Sequence, residues 1–292
     1  MVTIGNIYRE LLEKIRASKL RVYGIEVFRG GGVSMREMFS RDVRYPAYSA
    51  TKSVTSTAVG LAVSEGKMDI SRPLAECLDE TLVNAMPAEL RNGFSKLSIE
   101  RFLTMSVTGY PFRPEGEDWL REVLAMHPDT ESGPSFSYTN VSAYLVGAAC
   151  ENAVGMPIPE YLQPRIFEPL DMPLPEFQYD PQGRFNGATG MKLTVHELSL
   201  IGQLYLQEGE WNGTQLVPKE WTKLAVLKHI DNDRGGYGYF FWCGNDSFSI
   251  SGKWGQRCIV YPKKGVMITY MGNIPDGAEK IQLIAEEFCE GL

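Results

Sequence analysis

The sequence predicts an α+β fold. One antiparallel sheet, built from both ends of the chain, is flanked by helices and carries a mainly helical insertion. Three observations predict it. β-Rich runs occur near the start, at Leu20 to Phe28, and again from Tyr237 onward. Between about Leu74 and Leu170 the pattern is helical with Pro and Gly breaks, and β-branched runs are rare. An apolar, helix-like run begins at Tyr48 and stops near Gly66.

The elements follow in order. The N-terminal segment before Leu20 reads as an amphipathic helix with Ile7, Leu11 and Ile15 on one face. Leu20 to Phe28 is a strand, Gly30-Gly31-Gly32 its turn, and Val33 to Phe39 a second strand. The Tyr48 helix comes next, with Gly66 as its C-cap. Beyond the helical middle, helices are expected at Val195 to Gln207 and after Pro218, a first-turn proline. Thr194-Val195-His196-Glu197 is a capping box for the former. Strands are expected at Tyr237 to Trp242, Cys258 to Tyr261 and Val266 to Met271, with Lys263-Lys264-Gly265 as a hairpin turn. Asp276 to Cys289 reads as a helix capped by its Asp-x-x-Glu start. The expected organisation is one 292-residue domain. Residues 1–70 and 185–292 form its sheet part, and residues 71–184 its mainly helical part. The active site is expected in the cleft between these parts.

Tyr48-Ser49-Ala50-Thr51-Lys52-Ser53 carries the most chemistry. Ser49 and Lys52 lie three residues apart at a helix start, so hydroxyl and amine share a face. A serine is a poor nucleophile until a base takes its proton, and a lysine with a lowered pKa can be that base. Free N–H groups at a helix start suit an oxyanion. The same spacing also arises from an N-cap serine beside a solvated lysine. About one Ser-x-x-Lys is expected by chance in a chain of this length. The second match, Ser64-Glu65-Gly66-Lys67, straddles the helix stop and reads as the accidental one.

Two further segments support the first match. Phe136-Ser137-Tyr138-Thr139-Asn140-Val141 holds the one Tyr-x-Asn of the sequence. Tyrosine shuttles protons when a nearby cation lowers its pKa, and asparagine can hold both a lysine and a substrate amide. Ser249-Ile250-Ser251-Gly252-Lys253-Trp254-Gly255-Gln256 is a glycine-containing strand region, where a ligand can approach the backbone. Taken singly, Tyr138 could be a packed tyrosine and Gly252 and Gly255 a bulge.

With these motifs in this order, the chain resembles the serine hydrolases related to class C β-lactamases and penicillin-binding proteins. That group includes esterases, D-amino-acid peptidases and 6-aminohexanoate-dimer hydrolases. The resemblance runs from about Tyr23 to the end. Phe102-Leu103-Thr104-Met105-Ser106-Val107-Thr108-Gly109 is similar to the family's LLTHTSG stretch, and Gly187-Ala188-Thr189-Gly190-Met191-Lys192-Leu193-Thr194 to its turn before a helix. The resemblance implies a β-lactamase/transpeptidase-like fold. It also implies Ser49 as nucleophile, Lys52 as its base, Tyr138 as second proton carrier and Asn140 as an orienting group. The third motif departs from Lys-Thr-Gly and is closest to the Gly-x-x-Gly-Gln form of the 6-aminohexanoate hydrolase branch. In one register Lys253 stands for the lysine of Lys-Thr-Gly. In the other, which the Gly-Gln anchor favours, Ile250-Ser251-Gly252 fills that slot and Lys253 lends its backbone N–H to the oxyanion hole. The second register removes the carboxylate-binding lysine of β-lactam enzymes. Trp254 would then form an aromatic wall, and Tyr110 is a weaker candidate of the same kind.

Other chemistries are disfavoured. No Gly-x-Ser-x-Gly occurs, and none of the three histidines, His127, His196 and His229, lies in a triad-like context. No His-x-x-x-His or Cys-x-x-Cys spacing suggests a metal, and no cofactor is called for. The −7 net charge offers no phosphate footprint for nucleic acid. No apolar run reaches membrane-span length. Five scattered cysteines and an N-terminus without a signal-peptide core suggest a cytoplasmic protein. The expected activity is hydrolysis of an ester or amide through an acyl-enzyme, acting on a small molecule or short peptide. The alternatives are a β-lactamase or a penicillin-binding D-amino-acid peptidase or sensor. A non-catalytic interaction protein is disfavoured by the retention of Ser49, Lys52 and Tyr138 together.

Overall fold

A computed structural model describes residues 4–30 and 32–292. Gly31, in the middle of the expected turn, lies outside the described residues. Six antiparallel strands form the main sheet. Their order is Val33–Met38, Val22–Arg29, Val266–Gly272, Gln256–Tyr261, Phe248–Gly252 and Trp242–Cys243. The first strand therefore pairs with the last, with Ile25 opposite Tyr270 and Val27 opposite Ile268.

Side-chain alternation gives the sheet two apolar faces. Ile25, Val27, Ile259, Ile268 and Tyr270 join a core with Leu11 and Ile15 of helix Ile4–Ser18 and with Ile281, Ala285 and Phe288 of helix Ala278–Glu290. Cys258, Val260, Met267 and Met271 point into a second core, under helix Val195–Leu206. That helix starts on the expected capping box. Thr194 Oγ1 accepts from Glu197 N at 3.0 Å, and the Glu197 carboxylate accepts from Thr194 N at 2.8 Å.

Helix Thr51–Ser64 runs through the second core, and residues 51–62 are all buried. It is apolar or small on every side, as a helix sandwiched between layers must be. It stops as expected at Gly66, whose φ of +69° suits glycine. Lys67 N donates to Ala62 O at 2.9 Å and Gly66 N to Val63 O at 3.0 Å. Ser64 and Lys67 consequently part company: Ser64 Oγ donates to Leu61 O, while Lys67 pairs with Glu65. The longest helix of the middle region, Asn140–Val154, packs beside Thr51–Ser64 and presents its first residue to the start of that helix. Among the described residues, no helix is long and apolar enough to cross a membrane.

Three local expectations need correction. Tyr237 to Trp242 is not a strand. Tyr237, Tyr239, Phe240 and Phe241 are all buried, and the chain folds back so that Gly238 N reaches Phe241 O at 2.8 Å. A continuous apolar run can be buried on all sides without alternating, and periodicity does not separate that case from a strand. The C-terminal helix is not capped by Asp276: Gly277, at φ +83°, precedes its first turn and no side chain caps it. Pro218 is the N-cap of helix Lys219–Val226 and not its first helical residue.

Candidate active site

Ser49 lies in a tight 3₁₀ turn, Tyr48–Ala50, that feeds directly into helix Thr51–Ser64. Tyr48 has φ +49°, a conformation that costs a bulky residue of order 1–3 kcal/mol. Strain of this kind persists only where the surrounding structure fixes the backbone, and here it precedes a partly exposed serine. Ser49 is partly exposed, whereas Lys52 one turn later is 1% exposed. Within this turn Ala50 N donates to Ala47 O at 3.1 Å, and Thr51 N reaches back to Tyr48 O.

The Lys52 amine has three partners. Its Nζ lies 3.0 Å from Ser49 Oγ, 2.7 Å from Asn140 Oδ1 and 2.8 Å from the carbonyl oxygen of Ala188. No carboxylate is among them. Burial therefore pushes the Lys52 ammonium down from 10.5 to about 7. The charged form is disfavoured by roughly 5 kcal/mol relative to the neutral amine. Two of the partners are carbonyl oxygens and can only accept. A neutral amine spends its two N–H donors on them and turns its lone pair toward the Ser49 hydroxyl. In that state the arrangement can present an amine lone pair to the Ser49 hydroxyl.

Tyr138 sits over the same amine, with Lys52 Nζ 4.9 Å from its ring centre. The sequence suggested a tyrosine whose pKa is lowered by a cation. The structure places it the other way: burial pushes Tyr138 up to about 12, against weaker downward pulls from Ser49, Tyr237 and Arg234. At neutral pH Tyr138 is a phenol, and Lys52 is the group that titrates. Asn140 begins its helix with Thr139 as the cap, whose Oγ1 accepts from Ser142 N at 3.1 Å, so the amide is held in place.

The third motif forms a hairpin between Phe248–Gly252 and Gln256–Tyr261. Gly252 has to be glycine, because a Cβ there would collide with the carbonyl oxygen of Ala47, two residues before Ser49. Strand and nucleophile turn touch at this point. Gln256 is buried and pins the hairpin, donating to Lys253 O at 3.0 Å and to Gly272 O at 2.6 Å. Trp254, at φ +64°, packs edge-on against Tyr48 at 5.3 Å between ring centres. The Lys253 side chain is exposed and its ammonium lies 4.3 Å from the Trp254 ring centre.

Ser49, Lys52, Tyr138 and Asn140 are thus brought together, and Gly252 adjoins them through Ala47. Tyr110 is not part of this site: it is 8% exposed and packs against Phe102. Two of the histidines are engaged elsewhere, His196 with buried Glu26 at 2.9 Å and His229 stacked on Tyr239. The sequence reading missed Trp242, Tyr237 and Arg234. Trp242 lies 5.4 Å from Tyr138 and Tyr237 6.0 Å from it, both between ring centres. The Arg234 guanidinium lies 5.0 Å from the Trp242 ring centre. The aromatic run at Tyr237 to Trp242 was their one sequence signal.

Comparison with known proteins agrees with this architecture. The profile of the Beta-lactamase family matches residues 23–286. The chain belongs to the Beta-lactamase family. As a member it is a serine hydrolase, with the β-lactamase/transpeptidase-like fold. Within the family it is similar to the 6-aminohexanoate-dimer hydrolase of Paenarthrobacter ureafaciens, with 21% identity over 82% of this chain and 69% of that protein. A class C β-lactamase solved with cefoxitin superposes with a TM-score of 0.76 and 11% identity, covering 99% of both chains. A penicillin-binding protein from Bacillus halodurans gives 0.71 and 17%, covering 95% of this chain and 98% of the other. These structural likenesses show the family's fold.

Proposed function

We propose that the protein hydrolyses a small ester or amide through an acyl-enzyme on Ser49. The observation that carries this reading is the buried Lys52 amine, held by two carbonyl oxygens and 3.0 Å from Ser49 Oγ, with no carboxylate beside it. As Ser49 Oγ bonds to the substrate carbonyl carbon, Lys52 takes its proton. The carbonyl π electrons move to oxygen, and the N–H groups of Ser49 and Lys253 stabilise that oxyanion. Collapse expels the leaving group, which receives the proton by way of Lys52 and the Tyr138 hydroxyl. Water then attacks the acyl-enzyme by the same route in reverse. Asn140 holds the amine and contacts the substrate. Gly252 admits it against the strand, and Trp254 walls the acyl group.

The third motif bears on substrate choice. Lys253 rests over Trp254, and its backbone, tied by Gln256, suits the oxyanion role. Esters and linear amides are favoured over β-lactams, and the Paenarthrobacter relative is named for an amide dimer. Steady-state kinetics on a short-chain p-nitrophenyl ester beside nitrocefin test this. The ester is expected to show the higher kcat/KM. A higher value for nitrocefin would promote the β-lactamase reading.

The pH profile tests the base. kcat/KM for the ester should rise between pH 5 and 7, as Lys52 sheds its proton, and level off above about 7. No fall is expected until Tyr138 ionises near 12. A rate that drops between pH 6 and 8 would contradict a neutral-amine base.

We read the protein as cytoplasmic. All five cysteines are free thiols, four of them buried, which suits a reducing compartment.

A further inference from the structure

A cavity of about 590 Å³ opens beside the site, and its lining does not include Ser49, Lys52 or Tyr138. Its near wall is Trp242, Gly252, Lys253 and Trp254, and its mouth carries Arg234. Arg234 is exposed, and among the described residues it makes no ion pair. Of its acidic neighbours, Asp231 is engaged by Lys228 at 2.7 Å, and the adjacent Asp233 is exposed and, among the described residues, pairs with neither Arg234 nor another cation. The loop that presents it is ordered by local bonds: Arg234 N donates to Asn232 Oδ1 at 2.8 Å, and Cys243 N to Gly236 O at 3.0 Å. Gly235, at φ +111°, presses against the carbonyl oxygen of Cys243. The guanidinium is thus held over the Trp242 ring with its N–H edge free. From Lys52 Nζ, contacts of 4.9 Å to the Tyr138 ring, 5.4 Å on to the Trp242 ring and 5.0 Å on to Arg234 mark an aromatic track. The cavity's carboxylates, Glu279 and Glu286, belong to the C-terminal helix and not to this wall.

We propose that Arg234 anchors a carboxylate at the end of the substrate remote from the scissile bond, with Trp242 and Tyr138 flanking the apolar spacer between. This rests on the acyl-transfer reading above and narrows its substrate class to small esters or amides with an anionic terminus. A guanidinium presents a planar pair of donors that matches a carboxylate, and its stacking on an aromatic ring fixes that plane. The charge also reaches the catalytic phenol, since Arg234 is among the groups that pull the Tyr138 pKa down.

Kinetics on charged and uncharged ester pairs test the anchor. One pair carries the carboxylate in the acyl part: mono-p-nitrophenyl adipate against its methyl ester. The other carries it in the leaving group: 4-acetoxybenzoate against its methyl ester. The wild-type protein is expected to prefer the anionic member of at least one pair by about tenfold or more in kcat/KM. Arg234→Gln should abolish that preference and Arg234→Lys should keep part of it. A preference that survives Arg234→Gln, or no preference in either pair, overturns the proposal. Calorimetric titration with hexanoate separates the anchor from the chemistry, because it needs no turnover. Hexanoate should bind Ser49→Ala at least about tenfold more tightly than it binds the Ser49→Ala, Arg234→Gln double variant. If neither ester in a pair is hydrolysed, the acyl-transfer reading fails and this titration still decides. Equal binding to the two variants rules the anchor out.

Discussion

Ser49→Ala is expected to lower ester turnover by at least about 10⁴-fold, the scale on which a serine acyl-transfer site loses its nucleophile. It should also abolish labelling by a fluorophosphonate. The fold should survive, because Ser49 is partly exposed and its side chain contributes one hydrogen bond, to Lys52. A stability change within about 1 kcal/mol is expected on that ground. Peptide mapping of the labelled protein gives the sharper readout. A label on Ser64, whose hydroxyl is tied to Leu61 O, or on any serine other than Ser49, would remove the assignment.

Lys52→Met should cost a factor of about 10² to 10⁴ in acylation rate, and Tyr138→Phe about a hundredfold. The double variant should fall well short of the product of the two, because both groups serve one proton path. Lys52→Met carries a second readout, in stability. The unfolded chain keeps the Lys52 proton up to about 10.5, whereas the folded protein releases it at about 7. Between those values the unfolded state binds more protons, so this lysine's contribution to stability rises with pH. At pH 7 and below, wild type bears the full cost of a buried charge that the methionine variant lacks. Denaturant midpoints of wild type, taken relative to Lys52→Met, should therefore climb from pH 7 toward 10. A constant difference over that range would mean that Lys52 is charged in the folded protein, and the base assignment would fall with it.

The parts of the site that the sequence displayed are those set by local spacing. Ser49 and Lys52 meet because three residues make most of a helical turn, and that relation survives whatever surrounds it. Asn140, 88 residues from Lys52, was paired with it only through amide chemistry and the family resemblance, and the packing of the two helices brings them together. Gly252 and Gln256 announced themselves by residue type, since a glycine is needed against Ala47 O and an amide is needed to pin the hairpin. What stayed hidden depends on the whole fold. The acceptor that completes the Lys52 environment is a backbone carbonyl, Ala188 O, and backbone groups leave no trace in residue identity. The Tyr138 pKa was misjudged because burial outweighs the nearby cations, and depth of burial is a tertiary property. Trp242 ends the run that read as a strand and Arg234 lies before it, so their meeting across a folded-back loop has no periodic signature. The architecture was more legible, because β-branched and aromatic runs bounded by glycine turns mark the strands at both ends, even where a strand such as Val266–Gly272 is buried at every position. At Tyr237 to Trp242 the strand assignment failed, because the chain there folds back on itself and the apolar residues are buried without pairing along a strand.

The pairing of Val22–Arg29 with Val266–Gly272 sets the order of assembly. During synthesis the nucleophile turn emerges some two hundred residues before the strand that completes its cleft. The first hairpin has one open edge until the final strands arrive, and helix Thr51–Ser64 has no sheet layer to pack on. Closing so long a loop is entropically slow, and the waiting edge is open to other chains. The hydrolytic centre therefore matures late, on the ribosome or just after release. A nascent chain stalled before Gln256–Tyr261 would carry Ser49 and Lys52 without the hairpin that Gln256 pins and that brings Gly252 against Ala47.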